Sequence, residues 1–239
     1  MNFIEAFNNR IQGAAIKETH FWQIYDSELS FLKNENINIL ELGCYNAGFT
    51  YTLREYFKNA KNIVSVDIDP YCKQFEDKSK NVFVEIGDQC DINFLIKINE
   101  KYGPIDICID DSGHENHQII TSLKTLFPLL SNNGVYIVED TFCCYDKNWD
   151  SDRDKDTYGN NTNIIHGDNS FSAMEYLKSM ADKLHCYTDK NKTIFDEFEK
   201  DLFSIHFYDG ICFLHKFSRD KNMKFGYSKF WGHGERIEM

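Results

Sequence analysis

The chain carries no basic cluster. Lys and Arg number 26 against 38 Asp and Glu in 239 residues, a net charge of −12. A large nucleic-acid footprint needs clustered cations, so that class of partner is not expected. No apolar run is long enough for a membrane span, which takes about 20 residues. The opening MNFIEAFNNRIQGAAIK has no continuous apolar core followed by a cleavage site. No signal peptide and no membrane association are therefore expected, and a cytoplasmic location is. The 8 cysteines are scattered and form no CxxC, which argues against a zinc or redox motif and for reduced, buried thiols. No GxGxxG, internal repeat or domain linker occurs. What is present is a hydrophobic fraction of 42% with 15% aromatics, ample for a packed core in one domain spanning 1–239.

Short apolar runs alternate with helical periodicity. Residues 2–32 place apolar side chains at helical spacing, a helical cap over 1–36 in which His20 and Tyr25 are candidates to touch a cofactor or acceptor. The runs INILEL, NIVSVD, VFVEI, 105–109 and 135–138 predict five strands separated by helices. That alternation means a Rossmann-like, doubly wound parallel α/β sheet. Runs at 202–208 and 211–216, joined at Asp209-Gly210, predict a closing antiparallel hairpin within a core of 37–216. Residues 141–170 are polar and long for a connection, and are expected to be an acceptor-binding lid or plain disorder. For the aromatic tail, 217–239, two readings stay open: packing on a neighbouring subunit in a homo-oligomer, or fraying.

The chemistry gathers at strand ends, where ligands of such sheets bind. After the first strand, Gly43-Cys44-Tyr45-Asn46-Ala47-Gly48 leads into a helix: Gly43 permits a sharp turn and Gly48 a close approach of ligand or helix. Glu41, just before the turn, suits a ligand with a positive or hydroxylated end better than a pyrophosphate. Asp67 ends the second strand, where an acid accepts from ribose hydroxyls, and Asp88 follows the third, in reach of an adenine amino group. The fourth and fifth strands each end in adjacent carboxylates, Asp110-Asp111 with His114 close behind, and Glu139-Asp140. Carboxylates brought together repel unless a cation or proton lies among them, and a hard divalent ion with oxygen ligands is the simplest remedy.

With these residues in view, the sequence resembles class I S-adenosylmethionine-dependent methyltransferases: ELGCYNAG resembles their first motif, VSVDID the second and EIGDQ the third. The stretch IDICIDDSGHENHQIITSLKTLFPLLSNNGVYIVEDT resembles, more narrowly, the macrolide-sugar and rhamnosyl O-methyltransferases of the mycinamicin type, related to cephalosporin hydroxylases. The resemblance implies that Asp111, Glu139 and Asp140 hold Mg²⁺ (or Mn²⁺) beside an acceptor hydroxyl. It also implies that Glu41, Gly43, Tyr45, Asn46, Gly48, Asp67, Ile68, Asp88, Gln89 and Asp110 surround S-adenosylmethionine, with Asp110 toward its methionine or adenine end. His114 is the candidate general base with Asp111 beside it, since a neutral imidazole takes a proton near neutral pH. His117 is read as solvent-facing. The implied activity is methylation of a sugar hydroxyl on a small-molecule or carbohydrate acceptor. Alternatives are a catechol-like or phosphorylated acceptor, a non-catalytic cofactor-binding protein, and an NAD-dependent oxidoreductase, which the glycine motif and the hairpin disfavour.

Overall fold

A computed structural model describes residues 1–145, 172–186 and 194–218. Seven strands form one sheet: β1 (Asn38–Leu42), β2 (Asn62–Asp67), β3 (Val82–Ile86), β4 (Ile107–Asp110), β5 (Val135–Val138), β6 (Leu202–Tyr208) and β7 (Ile211–Lys216), in the order β3-β2-β1-β4-β5-β7-β6. The first five are parallel, and β7 runs antiparallel between β5 and β6. This is the expected doubly wound sheet with its hairpin. β1, β4 and β5 are buried along their whole length, as strands covered on both faces must be. The order reverses between β1 and β4, the switch point at which such sheets open a crevice.

Both faces are covered. One layer holds α4 (Ile92–Tyr102), α5 (Asn116–Leu126) and α6 (Ala173–Leu184), packed on Leu40, Cys108, Tyr136 and Leu214. The other holds α1 (Phe3–Asn9), α2 (Phe21–Leu29) and α3 (Gly48–Tyr56), packed on Ile39, Ile109, Ile137 and Phe213. α1 begins in a capping box, with the Asn2 side chain accepting from the Glu5 backbone, and its buried Phe3 stacks on Tyr56 of α3 at 3.8 Å between ring centroids. The N-terminal helices thus form the cap expected for 1–36, laid on one face of the sheet. A short α7 (Glu197–Asp201), which the periodicity does not announce, leads into β6. Of the expected lid only 141–145 are described, as a 3₁₀ turn directly after β5; the rest of the lid, and the tail beyond 218, lie outside the described residues. Among the described residues no helix is long and apolar enough to cross a membrane.

Candidate active site

The loop after β1 owes its shape to left-handed backbone. Gly43 has φ +99°, and a Cβ there would lie 2.1 Å from the Asp111 carbonyl oxygen, so only glycine fits. Tyr45 and Ala47 are also left-handed. Asp67, at the end of β2, braces this loop: one carboxylate oxygen accepts from the backbone N–H groups of Cys44 and Tyr45 at 3.0 and 2.9 Å, the other from Asp69 at 2.9 Å. Gly48 serves a close approach too, but of the chain's own N-terminus: a Cβ there would meet Ala14 at 2.4 Å. The Asn46 carbonyl lies against Gly13 in the same contact.

A cleft of about 760 Å³ opens at the carboxyl ends of β1 to β4, within the range of small-molecule sites. Gly43 and Tyr45 wall it after β1, Asp67 and Ile68 after β2, Asp88 and Gln89 after β3, and Asp111 after β4. Four residues expected around the cofactor are not on its wall: Asn46 and Gly48, which meet the 13–14 segment, and the two acids Glu41 and Asp110. Glu41 is buried under the loop, accepting from Thr50 at 2.5 Å and from Ser65, and burial pushes its carboxyl up to about 8 against those hydrogen bonds. Asp110 faces the interior, accepting from Ser122 and, at 3.1 Å, from Tyr136, and burial raises its carboxyl above the usual range. The reason is strand geometry: successive side chains point to opposite faces, so Asp110 and Asp111 cannot both look into the crevice. His117 corrects in the other direction. It lines the cleft with Gln118 in the first turn of α5, and its Nδ1 lies 3.4 Å from Glu115. Val66, Gly87, Cys90, Ser112 and Gly113 complete the wall, and none of them is among the site residues expected from the sequence.

The acid pair after β5 also diverges. Asp140, left-handed at φ +51°, meets His114, left-handed at φ +55°: His114 Nε2 and Asp140 Oδ2 are 3.3 Å apart. Donor atoms of Asp111, His114 and Asp140 all lie within 4.8 Å of one another. Glu139 is fully buried and accepts from the Tyr25 hydroxyl and from Lys17 Nζ at 2.6 Å. The same ammonium reaches Asp111 and sits 4.1 Å from the centre of the Phe49 ring. Burial alone would lower the Lys17 pKa, but Asp111 and Glu139 outweigh it and hold the ammonium above its ordinary range. Burial in turn raises Asp111 to about 6, with Lys17 opposing. Burial and the Asp111 charge raise Glu139 to about 7, again against Lys17. Nothing in the sequence pointed to Lys17, which arrives on the irregular segment between α1 and α2. Tyr25, a candidate for touching ligand, instead anchors Glu139, and His20 pairs with the Asp209 carbonyl at the hairpin turn, 2.9 Å away.

The sheet order, the hairpin and the cleft above β1 and β2 define the fold of class I methyltransferases. No family model matches the chain. It is similar to demethylmacrocin O-methyltransferase of Streptomyces fradiae, 26% identical over 80% of this chain and 47% of that one. It is also similar to mycinamicin VI 2''-O-methyltransferase of Micromonospora griseorubida, 25% identical over 82% and 48%. A solved structure of MycE methyltransferase, in complex with Mg, SAH and mycinamycin VI, superposes with a TM-score of 0.77 over 91% of this chain and 54% of that one, at 22% identity. The chain spans about half the length of the curated relatives it matches.

Proposed function

We propose that this chain is an S-adenosylmethionine-dependent, divalent-cation-dependent O-methyltransferase acting on a sugar hydroxyl of a small-molecule glycoside, nucleotide sugar or polysaccharide precursor. The observation that carries the reading is the meeting of Asp111, His114 and Asp140 at one rim of a cleft that Gly43, Asp67 and Asp88 also line. A sugar acceptor is supported by the name of another similar protein, 8-demethyl-8-alpha-L-rhamnosyl tetracenomycin-C 2'-O-methyltransferase of Streptomyces olivaceus.

The donor set fits a hard divalent ion. Of the three expected carboxylates, Asp111 and Asp140 meet with His114, whereas Glu139 stands outside that group and closes with Asp111 on a cation already present, the Lys17 ammonium. When bound there, the ion would supply a Lewis acid that stabilises the acceptor oxygen as its proton leaves. S-adenosylmethionine would supply an already activated methyl group, so the protein's task is chiefly alignment and proton removal. Asp67 would hold the ribose, its carboxylate already fixed by three backbone donors, while Asp88 and Gln89 would meet the adenine. His114, beside Asp140 and facing the acidic rim, would accept the hydroxyl proton.

Asp67→Ala is expected to weaken S-adenosylhomocysteine binding by about 1.5–3 kcal/mol, the usual worth of hydrogen bonds to a charged group. Calorimetry that finds unchanged affinity removes Asp67 from the cofactor, and tighter binding of NADH than of S-adenosylhomocysteine removes the methyltransferase reading itself. Lys17 competes for two of the oxygens the ion would use. Lys17→Met should therefore tighten Mn²⁺ binding by on the order of 10-fold, a difference of about 1.4 kcal/mol. Weaker Mn²⁺ binding, read from the free-ion signal in electron paramagnetic resonance, would mean that the ammonium organises the carboxylates instead of competing for them.

A further inference from the structure

A second cluster lies away from the cleft, where α2 crosses the hairpin. Glu28 of α2 is buried, its side chain 8% exposed. One of its carboxylate oxygens is 2.8 Å from Nδ1 of His206 on β6, and the other is 2.8 Å from Nε2 of His215 on β7. The Tyr208 hydroxyl donates to the first oxygen. The two imidazoles are 4.8 Å apart between ring centres. The methyl-transfer reading uses none of these four groups.

We propose that Glu28, His206 and His215 form a transition-metal site, of Zn²⁺ class, separate from the acidic rim. Two imidazoles and one carboxylate are a recurrent three-ligand set for zinc with a fourth position left for water. Imidazole donors favour Zn²⁺, Co²⁺ or Ni²⁺, whereas Mg²⁺ prefers oxygen donors such as those of the rim. The spacing suits it: one donor atom from each residue lies within 4.8 Å of the other two. A tetrahedral ion with bonds of about 2.0 Å sets its donors about 3.3 Å apart. The 2.8 Å contacts need open only slightly to admit the ion. The His206 side chain is 41% exposed, which gives the ion an entry side, while His215 and Glu28 form the buried wall. Tyr208, bonded to the carboxylate, is the outer partner that fixes a ligand's orientation. The three donors come from three separate elements, so an ion there ties α2 to the C-terminal hairpin. Tyr25, which anchors Glu139, lies one turn earlier on the same helix.

The test uses tag-free, chelator-stripped protein carrying Asp140→Asn to disable the other cluster, titrated with Zn²⁺ against a chromophoric chelator and with Co²⁺ in the visible range. One Zn²⁺ per chain, a Co²⁺ spectrum of low coordination number and a Zn²⁺-dependent rise in Tm are expected. His206→Ala, at a half-exposed position that leaves the core intact, should abolish all three. Tyr208→Phe should weaken Zn²⁺ by about 10–100-fold, as loss of an outer partner does. Absence of Zn²⁺ binding in the Asp140→Asn protein, or binding that His206→Ala leaves unchanged, overturns the proposal. Neither result bears on methyl transfer, which is read separately with S-adenosylhomocysteine.

Discussion

His114→Ala is expected to lower kcat by about 10²–10⁴-fold, the usual cost of removing a general base. Geometry motivates it. His114 stands on the loop that leaves β4, its ring against Asp140 and its backbone in the left-handed region. Asp140 opposite shares that conformation. Such backbone costs on the order of 1–3 kcal/mol per residue and persists where the surroundings enforce it, often at functional sites. Two facing residues held this way aim their side chains at each other and at the rim. S-adenosylhomocysteine affinity should stay near wild type, since the ring is not on the cleft wall beside Asp67. The decisive comparison is kcat against Mn²⁺ affinity in the same variant. Near-wild-type kcat makes His114 structural. Lost Mn²⁺ affinity makes it a ligand, as its place among the donors of Asp111 and Asp140 allows.

Exhaustive chelation is expected to abolish turnover, and Mg²⁺ or Mn²⁺ to restore it. Asp111 and Glu139 share a single ammonium, Lys17, while Asp140 stands against His114. Two unit charges about 4 Å apart interact by roughly 4 kcal/mol at an effective dielectric of 20, so one ammonium leaves much of the repulsion standing. The upward displacement of Asp111 and Glu139 is the same imbalance seen from the carboxylates, burial being its first cause. A divalent ion would answer both needs, neutralising the rim and orienting the acceptor oxygen. Full activity after chelation would leave Lys17 as the cation of the reaction, and Lys17→Met would then be the inactive variant.

Much of this was legible in the sequence because the information is local. β2, β3, β5, β6 and β7 coincide with their apolar runs, and Asp209-Gly210 marks the hairpin turn. Asp111, His114 and Asp140 follow from their position at strand ends. What escaped is non-local or depends on orientation. Asp110 and Glu41 are acids at or near strand ends, and the sequence does not say which face they take; in the structure each is absorbed by hydroxyls of the interior. His117 looked solvent-facing because helix phase within α5 cannot be fixed from a polar stretch. Lys17 lies in a segment without periodicity, and its partners are 94 and 122 residues away.

Those separations also set an order of assembly. The segment carrying Lys17 leaves the ribosome early, yet Glu139 does not exist until more than a hundred residues later, and Tyr25 waits 114 residues for the same carboxylate. Closing loops of that length is the slow part of folding, while hairpins and helices form quickly. Until β5 is made, the rim lacks Glu139 and Asp140, and of its carboxylates only Asp111 is there for Lys17 to meet. A nascent chain halted before β5 would hold a nearly complete cleft and no finished acidic centre.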